Sequence, residues 1–150
     1  MSRENRRSPE KKEISVEFVK TFIKLDIKTK EGAQKARRII QEELQSFAKA
    51  LRESNRNMKF TQIRKHYNYL LTIYRETERK GENYFYTQGQ LKLGMGKVFA
   101  IYDEARKNIT REFKEFLVKL FTNIETPEEL GRGKVLFEAL VGYCKGLFTD

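Results

Sequence analysis

Cysteine and histidine, two residue types that build metal centres, each occur once in this chain of 150 residues. The cysteine is Cys144 and the histidine is His66, and they lie far apart in sequence. A structural metal site needs several His, Cys or carboxylate ligands at fixed spacing, and a disulfide needs a second cysteine. The sequence therefore predicts no metal, no other cofactor and a reducing compartment. Because Cys144 falls on a predicted core face, we interpret it as an inert packing residue.

Catalytic and nucleotide-binding arrangements are missing as well. A Ser-His-Asp or Cys-His arrangement would have to use His66, and no serine lies in a nucleophile elbow. Two glycine-lysine runs, 94–97 and 131–134, lack the preceding strand and the following Ser or Thr that a phosphate-binding loop requires. We interpret their glycines as sites of close helix packing or helix bending. The sequence therefore predicts that the chain is not an enzyme.

Long apolar runs and alternating apolar runs are both absent. No apolar stretch approaches the roughly 20 residues that a membrane-spanning helix needs, and no apolar signal segment follows the charged residues 1–7. These absences predict a cytoplasmic protein without a membrane partner. No segment alternates with period two over a useful length, and no Asn-Gly or Asp-Gly turn indicates a hairpin.

Apolar residues instead recur at steps of three and four, which is the spacing of amphipathic α-helices. This pattern predicts an all-α fold, a helical bundle of about five to six helices. We expect a flexible basic arm over residues 1–12, an N-terminal helical region over 13–56 and a helical core over 57–150.

End signals and apolar stripes place the individual helices. The third predicted helix begins at Thr61 and stops at Gly81, and the last begins at the capping box Thr126-Pro127-Glu128-Glu129. Residues 82–89, with three aromatic rings, are predicted to form a loop. The fourth helix is predicted to bury a regular apolar stripe, formed by Leu91, Met95, Val98, Tyr102 and Ala105.

The chain carries a large surplus of positive charge. Lys and Arg number 31 against 21 Asp and Glu, which gives a formal net charge of +10. A surplus of this size on a small domain favours polyanions, namely RNA, DNA or anionic lipid. The alternative is that the charge serves solubility.

Part of this charge forms a row on the third predicted helix. Arg64, Asn68 and Arg75 lie within about 40° of one another at 100° per residue, and Arg79 extends the row. Guanidinium groups in a row can bind successive phosphates as bidentate donors. The same row is equally typical of a solvated face whose arginine stems cover the edge of the core. The geometry leaves both interpretations open.

Three stretches together resemble one protein family. They are Lys59-Phe60-Thr61-Gln62-Ile63-Arg64-Lys65, the segment from Leu91 to Arg106, and Phe137-Glu138-Ala139-Leu140-Val141-Gly142-Tyr143. In this order and spacing they resemble the small subunit of type III-A CRISPR effector complexes, the Csm small-subunit family. The likeness covers residues 59–146, and residues 1–56 lie outside it.

The resemblance implies a helical, non-catalytic subunit that lines the guide RNA and the target RNA paired to it. It also implies as partners the backbone and large subunits of the complex and further copies of the chain itself. Family members contact the sugar–phosphate backbone through basic residues without sequence preference. The implied RNA-binding residues are Arg64 and Arg106, which match motif positions, Lys59 and Lys65, which flank the first motif, and Lys97, which lies in the second stretch; the row geometry adds Arg75.

Two other functions remain open on the sequence alone. One is a helical assembly or scaffold protein with no direct nucleic-acid role, in which the charge serves only solubility. The other is a general DNA-coating protein, which would bind unrelated DNA equally well.

Overall fold

The computed structural model describes residues 14–54 and 57–148, and within these ranges every regular element is a helix. The predicted all-α helical bundle is therefore confirmed, whereas the predicted basic arm over 1–12 lies outside the described residues. The α-helical segments are, in chain order, α1 (Glu17–Ile23), α2 (Lys30–Arg38), α3 (Leu44–Ser54), α4 (Phe60–Lys80), α5 (Glu82–Tyr84), α6 (Gln90–Ala105), α7 (Arg111–Asn123) and α8 (Pro127–Lys145). Two π-helical turns, Ile39–Glu43 and Phe85–Gly89, join α2 to α3 and α5 to α6, so these segments form six continuous helices.

Threonine side chains define where three of these helices begin. The hydroxyls of Thr29, Thr110 and Thr126 accept hydrogen bonds from the backbone N–H three residues later, at the starts of α2, α7 and α8. At α8 the threonine half of the predicted capping box is present, with Pro127 in the first turn, and the Glu129 carboxylate accepts at 2.7 Å from the N–H of Glu125, one residue before the N-cap. Each cap satisfies a backbone donor that the helix itself leaves free.

The predicted loop over residues 82–89 was wrong, because this segment is helical. Gly81 ends α4 with φ 92°, a left-handed conformation that glycine adopts without strain, and the chain re-enters a helix at once. The reason is burial: Tyr84 and Phe85 are both packed inside, and an extended loop would expose at least one of these neighbouring rings. Tyr86, by contrast, points to solvent.

One continuous apolar core connects the N-terminal helices to the rest of the chain. Phe47 of α3 stacks on Phe116 of α7 with ring centroids 5.5 Å apart, and Phe116 meets Phe137 of α8 edge-on at 5.4 Å. Phe113 and Phe18 extend this cluster of rings on α7 and α1. Since aromatic pairs of this geometry add to area burial, α1 and α3 are integral to the core.

The predicted buried face of α6 was also wrong. Its buried side consists of Leu93, Gly96, Ala100 and Asp103, and the predicted stripe is exposed. The physical reason is close packing against α7, because a Cβ atom at Gly96 would lie 2.6 Å from the Phe121 ring. Small residues on α6 let the two helices approach closely, and the larger apolar side chains are left facing outwards. We call the exposed stripe, formed by Leu91, Met95, Val98 and Tyr102, the apolar face of α6.

Three further sequence predictions concern close packing at a glycine, the burial of Cys144 and membrane-spanning helices. Gly133 on α8 packs closely in the same way as Gly96, since its Cβ position lies 2.8 Å from Ile124. Cys144 is fully buried and unpaired, and burial raises the pKa of its thiol to about 12. Over the ranges that the structure describes, no helix is both long and apolar enough to span a bilayer.

Candidate nucleic-acid interface

The outer face of α4 is polar along its whole length. Its inner face buries Ile63, Leu70 and Ile73 in the core. The opposite side exposes Arg64, Asn68, Arg75 and Arg79, which we call the basic row, together with Thr61 and Thr72. The row predicted from sequence therefore lies clear of the core and is accessible from solvent.

Two guanidinium groups of the basic row have no acidic partner in the described part of the chain. Neither Arg64 nor Arg75 forms an ion pair with any residue that the structure describes, and they lie about three turns, or roughly 16 Å, apart along α4. Arg79, at the end of the row, donates to the Glu76 carboxylate at 2.7 Å. Hydrogen bonds from Lys80 and Arg79 keep the pKa of Glu76 below its ordinary value. The uncompensated charge therefore lies at Arg64 and Arg75.

Lys65 is tied into the contact between α4 and α6. Its Nζ lies 2.6 Å from Asp103 Oδ2, and the same oxygen lies 2.7 Å from Nε2 of His66. Asp103 and His66 are 5% and 3% exposed, so the pair is inside the protein, while the Lys65 side chain remains half exposed. Lys65 thus reaches the surface with its charge offset by a neighbouring carboxylate.

Burial and pairing act in opposite directions on these two titratable groups. Burial lowers the pKa of His66 more than the hydrogen bond to Asp103 raises it, so His66 favours the neutral form. Burial alone would raise the pKa of Asp103, but the hydrogen bonds from Lys65 and His66 outweigh it and the pKa lies below its ordinary value. The contact therefore joins an ionised Asp103, a neutral His66 and a charged Lys65.

Arg106 lies at the same end of the α4–α6 pair as Arg64 and Lys65. The two helices run antiparallel, because Lys65 meets Asp103 whereas Tyr69, one turn later on α4, donates to the Lys92 carbonyl. Arg106 follows Asp103 by about one turn of helix. Its Nη1 donates to the Tyr102 hydroxyl at 2.8 Å, and its guanidinium lies 5.5 Å from the centre of that ring. Tyr102 therefore orients an exposed guanidinium.

A cleft separates the basic row from the apolar face of α6. It encloses about 470 Å³ and is lined on the α4 side by Lys65, Asn68 and Thr72. On the α6 side its walls include Phe99 and Tyr102. One side of the cleft is thus polar and carries the Lys65 ammonium, and the other is aromatic, a combination that suits nucleic acid.

The other two predicted residues occupy different places. Lys59 is exposed and forms the N-cap of α4, at the same end of that helix as Arg64. Lys97 is exposed on α6, but at 100° per residue it lies about 180° around the helix from Arg106. The structure therefore brings Arg64, Lys65 and Arg106 together at one end of the helix pair. It places Lys59 and Arg75 along α4, and it separates Lys97 from all of these residues.

Two features of the structure were not found from the sequence, one within this surface and one away from it. The buried carboxylate of Asp103 was missed, although its position among apolar residues of α6 was a signal. Helix α2 was missed as a basic element: it buries no residue, and Lys35, Arg37 and Arg38 are all exposed on it. Within the described ranges, no three His, Cys, Asp or Glu side chains gather as metal ligands would.

Comparison with known protein families identifies the family to which this chain belongs. The family model Csm2 Type III-A matches residues 33–148, which is well over half of the chain. The chain belongs to this family. The match confirms the resemblance seen in the sequence, and it extends that resemblance through α2 and α3. As a Csm2-family member, the chain is a subunit of a type III-A CRISPR effector complex. No curated protein and no solved structure matches it.

Proposed function

We propose that this Csm2-family chain is a non-catalytic, cytoplasmic RNA-binding subunit that contacts the backbone of guide RNA and of target RNA paired to it, in antiviral defence. The observation that supports this most directly is the row of exposed guanidinium groups on α4. Arg64 and Arg75 have no acidic partner among the described residues, and the whole chain carries a formal net charge of +10.

Phosphate binding by this row is electrostatic. Arginine forks donate in pairs to phosphate oxygens, and each contact releases counterions condensed on the RNA. Contacts to phosphate and sugar fix position without reading bases, so binding by these residues is independent of sequence. Lys59 and Arg106 extend the row at one end. Lys65 contributes less free charge because Asp103 offsets it, and Lys97 lies outside this surface.

Weak binding by one copy becomes strong when the subunit is held in an assembly. The proposed partners are guide RNA, target RNA, the backbone and large subunits, and further copies of this chain. Binding sites linked in one particle act at high effective concentration, so a modest affinity per copy is sufficient.

The proposal is tested with Arg64→Ala and Arg75→Ala, singly and together. Equilibrium binding of a guide–target RNA duplex is measured over a range of salt concentrations. We expect each substitution that removes a phosphate contact to reduce the slope of log affinity against log salt by about one. Thermal unfolding should be unchanged, because both side chains are exposed.

Arg38→Ala is the matched control, since it removes the same exposed residue type from α2. It should leave the slope close to that of the unaltered protein. Equal weakening in the three single variants would show that affinity follows total charge only, and unchanged binding in the double variant would contradict the proposal.

A scaffold role without RNA contact is the second candidate, and the apolar face of α6 favours it. The two candidates predict different results when the complex is purified. Only if this subunit contacts RNA should part of the co-purifying RNA depend on this subunit and be released by salt. In the scaffold case the Arg64→Ala, Arg75→Ala double variant retains as much target RNA in the assembled complex as the unaltered chain.

A further inference from the structure

Exposed apolar side chains are concentrated on one helix. Of the nine large hydrophobic residues that are exposed in the described part of the chain, six belong to α6. They are Leu91, Met95, Val98, Phe99, Ile101 and Tyr102, with exposures from 38% to 70%. Single exposed apolar residues are normal, but a contiguous patch of this kind marks an interaction surface.

The spacing of these residues on α6 places them on one continuous helix face, as in helices whose apolar side packs against another element. The four residues of the apolar face fall within about 60° of one another at 100° per residue. Gly94 lies on the same side, and no atom of the described residues lies within 4 Å of its Cβ position. Glycine destabilises a helix interior relative to alanine, and no contact with another described residue makes use of the missing side chain. A partner backbone packed against Gly94 would use the space that the missing side chain leaves.

The flanks of this face are basic. Lys92 and Arg106 lie on the flank next to α4, and Lys97 lies on the other. The acidic residues of α6 are withdrawn: Asp103 is buried against Lys65, and Glu104 is half-buried. The face therefore has an aliphatic and aromatic centre with cations on both sides.

This charge pattern decides between possible occupants. A second copy packed through the same face, in either direction, would place cations against cations, which is unfavourable at an interface. Phosphates gain nothing from the aliphatic side chains of Leu91, Met95 and Val98. A protein surface with an apolar centre and carboxylates at its edges satisfies both parts of the pattern.

We propose that the apolar face of α6 is the docking surface for another protein subunit of the effector complex, which presents an apolar patch edged by Asp and Glu side chains. The inference rests on the proposed function only in placing the chain in that complex. The RNA contacts that carry that proposal are those of Arg64 and Arg75 on α4, and Arg106 lies at the border between the two surfaces. Further copies of the chain must then use other surfaces.

One helix face is too small to support a stable pair by itself. Helix α6 is about 24 Å long, and a standard interface needs about 800 Å² from each partner. Docking at α6 is therefore one contact among several in the assembled particle, and it has to be tested there.

The test compares two matched valines. Val98 on the apolar face of α6 is 50% exposed and Val135 on α8 is 49% exposed, so each can be changed to Glu without opening the core. Each variant is co-expressed with the other subunits of its complex, and its recovery with an affinity-tagged backbone subunit is measured. We expect Val98→Glu to lower recovery about tenfold or more, and Val135→Glu to leave it unchanged. Equal recovery of both variants, or an equal decrease in both, overturns the inference.

The chemistry of the partner is tested by carbodiimide cross-linking, which joins an amine directly to a carboxylate. In the assembled complex, Lys97 or Lys92 should be linked to an Asp or Glu of a different subunit. A link from these lysines to a second copy of this chain, or no link at all, contradicts the inference.

The outcomes separate this inference from the RNA proposal. The isolated Val98→Glu chain should bind RNA as the unaltered chain does, and the Arg64→Ala, Arg75→Ala double variant should enter the complex normally. Normal entry of Val98→Glu overturns only the docking surface, whereas undiminished RNA binding by the double variant overturns only the RNA contacts.

Discussion

His66 Nε2 and Asp103 Oδ2 lie 2.7 Å apart between α4 and α6, and both side chains are buried. The contact joins the helix that carries the basic row to the helix that carries the apolar face. Because the contact is buried, its removal should mainly lower the free energy of unfolding of the protein.

Asp103→Ala should lower the free energy of unfolding by about 2 kcal/mol, because it leaves buried His66 without its hydrogen-bond partner and removes the carboxylate that pairs with Lys65. Chemical denaturation followed by circular dichroism measures this decrease. The control is the neighbouring Glu104→Gln, which should change the free energy by less than about 0.5 kcal/mol. Similar decreases in the two variants would show that the buried Asp103 contact stabilises the fold no more than the neighbouring glutamate does.

Stability should fall as the pH is lowered from 7 towards 5. Burial lowers the pKa of His66 in the folded state, so the unfolded chain, which takes up a proton near pH 6.5, binds more protons across this window. The free energy of unfolding then decreases as pH decreases, and the stabilisation is fully present above pH 6.5. Denaturant titrations at several pH values measure the slope, and His66→Asn should reduce it. An unchanged slope in that variant would contradict this assignment.

Two glycines of α6 should respond in opposite directions to alanine. Gly96→Ala should destabilise the fold by about 2 kcal/mol, because the new Cβ meets the Phe121 ring at 2.6 Å inside the core. Gly94→Ala should stabilise it by up to about 1 kcal/mol, because the position is open and alanine favours a helix. Melting temperatures of the two variants provide the measurement. Destabilisation by Gly94→Ala would argue against an open helical site there.

Thr126→Ala should lower the free energy of unfolding by about 1 kcal/mol, since its hydroxyl caps α8 by accepting from the Glu129 N–H at 3.1 Å. Thr126→Ser keeps the acceptor and should retain most of this stability. If serine and alanine are equally destabilising, the cap contributes little and the threonine methyl group is what matters. Thermal denaturation of the three proteins decides between these cases.

Cys144 should react with a thiol reagent about a hundredfold or more slowly in the native protein than in denaturant. The side chain is fully buried and burial raises its pKa to about 12, so reaction needs the chain to open. Absorbance after mixing with an aromatic disulfide follows the rate. Rapid complete labelling in native buffer would show that the C-terminal part of α8 opens readily.

Local signals in the sequence predicted much of the fold. The start of α8 followed from Thr126 and Pro127, and the end of α4 from Gly81, because these residues act on the adjacent backbone. The buried side of α7, which includes Phe113, Phe116 and Leu120, has the same steps of three and four that predicted the all-α fold.

The buried side of α6 could not be predicted in this way. Its large apolar residues form a regular stripe, and the preference for burying Gly96 and Ala100 instead arises from the Phe121 ring on another helix. The helical conformation of 82–89 likewise depends on the space that the core offers to Tyr84 and Phe85. Both errors come from tertiary contacts that local sequence does not contain.

The candidate interface was predictable in part. The position of Arg64 and Arg75 on one exposed face follows from helical spacing alone. The pairing of Lys65 with Asp103 required the antiparallel packing of two helices, and a carboxylate on a helix is usually solvated.

The contact among Lys65, His66 and Asp103 also has a mechanical consequence. It fixes α4 against α6 in a pair that turns back at one glycine, so the two outer surfaces cannot move apart without breaking buried polar contacts. In the proposed assembly a nucleic-acid strand lies along one helix and a protein wall along the other. The width of the cleft between these two helices then sets the distance between the strand and the partner protein, and the fixed helix pair keeps that distance constant.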